Sequence, residues 1–184
     1  DSGNERDLIK GDFNNYGFEL KFLKNYKIFN KKSNLLLGTK FYKSDNTSQQ
    51  GPGSNESDAN FNFYTDEFPN YNNQSSYKYP NLNIAFFGEN LFYLNKKLSI
   101  TPGFRLEHIK TESEGNYKKI NLDGAGNVIL NQTIYDNIIR ERSFILLGTG
   151  ISYKGPAEFY GNISQNYRSV TFADISIVNP AYSI

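Results

Sequence analysis

Residues 98–108 read L-S-I-T-P-G-F-R-L-E-H, with Leu98, Ile100, Pro102, Phe104 and Leu106 on one parity and Ser99, Thr101, Gly103, Arg105 and Glu107 on the other. Successive side chains of a strand point to opposite faces, so this stretch predicts a ribbon with one apolar face and one small, charged face. The same alternation sets Tyr16, Phe18, Leu20 and Phe22 against Glu19 and Lys21, and puts Leu35, Leu37, Thr39 and Phe41 on one parity. Continued along the chain, the pattern predicts strands at about 16–26, 34–43, 81–94, 97–110, 142–153 and 157–167.

The connections alternate in length. Short polar turns are expected around 30–33, 94–97 and 154–156, and long polar loops at about 44–79 and 111–141. The second long loop contains Asp123-Gly124-Ala125-Gly126-Asn127 between apolar stretches, a composition that lets it form a small hairpin of its own. Short turns at one end and long loops at the other characterise transmembrane β-barrels. Strands of about 10–14 residues exceed the usual mode of 5–6 and match the ~9–11 tilted residues that cross a bilayer.

A soluble sandwich or open barrel, with the apolar parity as its core, fits the alternation as well. Two features favour a lipid-facing sheet. The polar parity is small as well as charged, as at Gly148, Gly150 and Ser152 or Tyr160, Asn162 and Ser164, which suits a crowded wet interior. Aromatics such as Tyr26, Phe29, Phe92, Tyr93, Tyr153 and Phe159 gather near strand ends, as in interfacial girdles. Six strands cannot close a wide barrel. The expectation is therefore an all-β, antiparallel up-and-down meander of about six long strands over residues 1–184, a sector of a larger barrel whose edges pair with further strands.

Composition narrows the function classes. A mean hydropathy of -0.62 resembles that of a polar soluble protein, but in barrel strands only every second residue is apolar. No apolar run of about 18 residues exists, so a transmembrane helix is excluded. A net charge of +1 gives no argument for nucleic acid. There is no Cys, which excludes disulfides and thiolate chemistry, and the single His108 excludes any site with two imidazoles. Methionine is absent, so the chain is expected to begin inside a longer product or after processing. The loop residues Asp45, Asp58 and Asp66 match no calcium-loop spacing, and no metal or cofactor is expected. No motif for carboxylate or Ser-Lys chemistry appears, so the chain is not expected to be an enzyme. A soluble β-rich binding or adhesion module remains the rival function.

Residues 86–92, F-F-G-E-N-L-F, followed by 97–107, K-L-S-I-T-P-G-F-R-L-E, resemble the paired central strands of TonB-dependent outer-membrane receptors. Residues 158–175 resemble that family's strand ending in S-x-x-Y/F-R-P, with Ser169 where proline is usual. The stretches 50–54 and 67–71 resemble the ferric-dicitrate branch. The resemblance implies a sector of a barrel of about 22 strands with a plugged lumen. It implies localisation in the bacterial outer membrane, contact with its lipid, and uptake of a ferric chelate of ferric-citrate or siderophore type. Energy would come from the partner protein TonB, and a surface lipoprotein could cap the mouth. Import of a non-iron nutrient on the same scaffold stays open.

An anionic chelate needs positive charge at the outer mouth, and the arginine fork suits carboxylates. The candidates are Arg140, Arg142 and Arg168, with Gln165 and Tyr167 adding neutral contacts; the arginines could equally be solvated rim residues or pair with Glu141 or Asp174. Arg105 and Glu107 share the luminal face two residues apart and are expected as a luminal charge pair that meets plug or neighbouring-strand charges rather than ligand. His108 has the opposite parity and is expected to be an interface residue.

Overall fold

In a computed structural model, residues 5–56 and 59–168 are described. They form six strands: β1 (Asp7–Ile28), β2 (Lys31–Pro52), β3 (Ser75–Tyr93), β4 (Leu98–Leu122), β5 (Val128–Lys154) and β6 (Glu158–Ser164). The strands lie in sequence order in one antiparallel sheet, the meander that the alternation predicts. The part of the 158–175 resemblance beyond Arg168 lies outside the described residues.

The register aligns the apolar parities across all six strands. Phe22 pairs with Leu37, Leu37 with Gly88, Gly88 with Phe104, and Phe104 with Leu147. One row above, Leu20, Thr39, Phe86, Leu106 and Ile145 align in the same way. The band runs from the Phe18 row to the Ile28 row, ten steps along β1. At ~3.3 Å per residue and a tilt of ~40°, this gives a height of about 25 Å, the thickness of a barrel's lipid-facing band.

No second layer covers this face among the described residues. Leu20 is 62 % exposed, Leu147 53 % and Ile163 80 %. The buried apolar residues among those described are Tyr79, Ala85 and Ile109, and all three belong to the opposite, polar face. An inward-packed sandwich would show the reverse.

The structure corrects two expectations. The first turn falls at Phe29-Asn30 rather than 30–33, with Ile28 paired to Lys31. A turn centred two residues later would pair Phe18 with Asp45 and Phe22 with Phe41; the observed register instead joins Phe18 to Phe41 and Phe22 to Leu37, keeping apolar groups together at band height. Of the two regions expected as long loops, 111–141 is largely strand and 44–79 narrows to the connection 53–74. Residues 44–52 pair with β1 and, from Ser44 to Gln50, with β3; 111–122 pair with 128–140 as one long hairpin. Above the bilayer both faces of the sheet meet water, so the ladder continues while the apolar alternation fades.

Candidate functional site

The face opposite the apolar band is the luminal wall. At band height it carries alternating charge. The Lys21 ammonium lies 2.6 Å from the Glu19 carboxylate. Arg105 donates through Nε to Glu107, and its guanidinium stands 5.4 Å from the Phe87 ring centroid. The two charges meet each other within one strand rather than a charge on a neighbouring strand, and the aromatic face supplies a second stabilising contact for the cation. Phe87 in turn lies over Gly38, where a Cβ would come within 2.3 Å of the ring.

Above this belt the wall is finely polar across β2, β3 and β4, with Arg140 at its β5 side. Asn46, Tyr79 and Ser113 share one row, and Ser44, Asn81, Thr111 and Arg140 another. Asn81 donates to Thr111 at 2.8 Å. Tyr77 and Tyr79 stack at 6.0 Å with 14° between their planes. Burial, with Asp136 nearby, pushes the Tyr77 phenol up to about 12, so it stays a neutral donor. The buried Asn46 and Asn83 side-chain oxygens accept no hydrogen bond among the described residues.

Arg140 and Arg142 both belong to this luminal parity, beside Thr111 and Ile109. Arg142 donates to the Tyr167 hydroxyl at 2.5 Å, and the Tyr167 ring packs on Phe144 at 4.1 Å. Gln165 lies elsewhere: its side-chain oxygen accepts from the Leu147 amide at 2.9 Å, and its own amide donates to the Leu147 carbonyl. It extends the β5–β6 ladder by side-chain mimicry instead of facing the lumen. Arg168 is solvent-exposed at the end of the described residues. The structure thus brings together Arg140, Arg142 and Tyr167, and sets Gln165 apart from them.

His108 sits on the outward face at the top of the band, 2.9 Å from Ser143 Oγ and 3.8 Å from a Glu141 oxygen. That face also carries Lys110 bonded to Glu112 at 2.7 Å. These polar groups mark the level where the apolar band gives way to headgroups and water.

The connection between β2 and β3 folds over the outward side of the tip. Phe63 packs on Gly51, with the Lys10 ammonium 5.3 Å from its ring centroid. Lys118 Nζ donates to Pro69 O at 3.2 Å, and Asn131 to Asn70 at 2.9 Å. Gly51, Lys10, Lys118 and Asn131 all share the parity of the lipid-facing band, so this loop leaves the polar luminal wall uncovered. That wall was missed in the sequence because Tyr77 and Tyr79 fall inside a stretch read as loop; their i, i+2 spacing was the available signal.

An open apolar band outside, a polar wall inside, tight turns at one end and long excursions at the other define a transmembrane β-barrel wall of the outer-membrane type. The TonB dependent receptor-like, beta-barrel family matches residues 1–182, and the chain belongs to that family. It is an outer-membrane receptor component acting in TonB-dependent transport. No curated protein matches the chain individually.

Proposed function

We propose that the receptor takes up an anionic ferric chelate of ferric-citrate or siderophore type, held at the outer part of the luminal wall and released inward by TonB-gated movement of a plug. The observation that carries this reading is the placement of Arg140 and Arg142 two residues apart on the luminal face, with no carboxylate bonded to either among the described residues. Guanidinium forks bind the carboxylates of a chelate bidentately. Tyr167, already bonded to Arg142, pre-positions that fork. The ligand would bind the loaded state more tightly than the discharged one, and TonB would shift the balance.

The test is equilibrium binding of radiolabelled ferric citrate and a small set of ferric siderophores to the full-length receptor. Replacing both arginines (Arg140→Gln with Arg142→Gln) is expected to weaken binding by about tenfold or more, since each charged hydrogen bond contributes ~1.5–3 kcal/mol. Unchanged affinity would remove the reading. A second reading, import of a neutral hydroxyl-rich nutrient, is favoured by the stacked Tyr77–Tyr79 pair and the unpaired Asn oxygens. In that case Tyr77→Ala abolishes uptake and the arginine variant does not.

A further inference from the structure

We infer that the periplasmic edge of this sheet carries a binding site for an anionic phospholipid of the inner leaflet, seated between the β1–β2 and β3–β4 turns on the outward face. An apolar groove of ≈ 230 Å³ opens there, walled by Ile28, Phe29, Leu94 and Ile100. It continues into a basic recess lined by Lys31, Lys32, Lys96 and Asn95. Lys31 and Lys32 line both, so groove and recess form one continuous surface.

Three observations converge on the occupant. The first is charge. The turn segments 26–32 and 94–97 contain Lys27, Lys31, Lys32, Lys96 and Lys97 and no acidic residue. Lys31 is steered toward the second turn by its bond to the Leu94 carbonyl. The second is depth. Ile28, Leu94 and Leu98 are aligned with Tyr153 and Phe159 in the lowest row of the lipid-facing band, where acyl chains meet headgroups. A soluble anionic partner in the periplasm would reach the lysines but not the groove, which faces lipid. The third is an unmet hydrogen-bonding need. Ser33, 1 % exposed, lines the groove, and its hydroxyl has no hydrogen-bond partner among the described residues. A phosphodiester or ester oxygen in the groove supplies the acceptor this hydroxyl lacks.

The site thus takes one acyl chain along Ile28, Phe29 and Leu94, and the phosphate among Lys31, Lys32 and Lys96. Phe29, 91 % exposed and at positive φ, is held out where the chain would lie.

The test is native mass spectrometry of the full-length receptor, delipidated in detergent and titrated with dioleoylphosphatidylglycerol or dioleoylphosphatidylcholine. Phosphatidylglycerol is expected to be retained at least about tenfold better than phosphatidylcholine. The triple variant Lys31→Gln, Lys32→Gln, Lys96→Gln is expected to erase that difference, since each lysine near an anionic headgroup contributes about fivefold. Lys118→Gln with Lys119→Gln, at the opposite end, is expected to change nothing. Ser33→Val is expected to weaken retention about two- to fivefold with no change of charge, and it decides the matter if the triple variant lacks the heat-modifiable gel shift of a folded barrel. Equal retention of both lipids, or unchanged retention in the triple and Ser33 variants, would overturn the site. So would a triple variant that keeps phosphatidylglycerol and loses capture of the soluble TonB domain, because the rim would then be a protein-docking surface.

Discussion

Phe29 and Asn30 both occupy the left-handed region, with φ of 50° and 60°. Asn adopts it readily; a bulky aromatic there costs ~1–2 kcal/mol. Aligning the apolar rows on either side of the turn offsets that cost, and the strained ring is left projecting at the membrane edge. The opposite end of the sheet uses chemistry instead of strain. At the tip of the β4–β5 hairpin, one Asp123 oxygen accepts from the amides of Ala125 and Asn127 at 2.9 and 2.8 Å, and the other from the Asn127 side chain at 2.9 Å. The Asn127 side chain, then its amide, hold the Asp123 carboxyl below its ordinary 3.8. A depressed folded-state pKa means stabilisation that is present above the ordinary value and lost as pH falls through the folded one. Hydrogen exchange at the tip is therefore expected to be faster in Asp123→Asn than in the parent at pH 7. The gap should close as pH falls below 3.8. A gap independent of pH would show that the turn is held without the carboxylate.

The strands show how much the sequence discloses and where it goes quiet. The lipid-facing parity of β4 was legible because Ile100, Phe104 and Leu106 alternate with Thr101, Gly103 and Arg105, and the register places them as that parity requires. Arg140 and Arg142 were legible as candidates by their charge near the outer mouth, but their luminal parity shows only in the register, which continues it from Phe144 and Leu146. The outer halves of β2, β3, β4 and β5 were not, because water on both faces removes the selection for alternation while the backbone ladder persists. The Tyr77–Tyr79 stack was lost with them. Gln165 could not be placed from sequence, since completing a ladder by side chain leaves no periodic trace. Packing between strands was equally silent. Gly38 reads as a weak strand residue, yet it is the floor on which the Phe87 ring lies. Gly38→Val is expected to displace that ring, disturb the Arg105 contact above it, and cost about 1–3 kcal/mol in urea unfolding of the bilayer-inserted receptor. A change below about 0.5 kcal/mol, on the scale of an ordinary surface substitution, would mean that the ring has room to move.

At the scale of the whole sheet, one question decides the biology: whether the apolar band is solvated by hydrocarbon. The answer has a depth signature that no soluble fold shares. Leu147 lies in the middle row of the band, paired with Phe104, whereas Ile139 lies on the same outward face of the sheet, opposite Glu112 and above His108 and Lys110. In hydrocarbon an arginine costs ~2–4 kcal/mol at the midplane of a barrel and ~0–1 near the interface. Leu147→Arg is therefore expected to destabilise the full-length receptor in phosphatidylcholine vesicles by about 2–4 kcal/mol and Ile139→Arg by less than about 1, both from reversible urea unfolding. The ranking does not follow from exposure in the sheet alone. Ile139 and Leu147 are each 53 % exposed, so a water-bathed sheet would treat charges at the two levels alike. Equal costs would place water against Leu147 and remove the membrane from the account. The expected steep difference ties the alternation first visible in residues 98–108 to the bilayer that selects it.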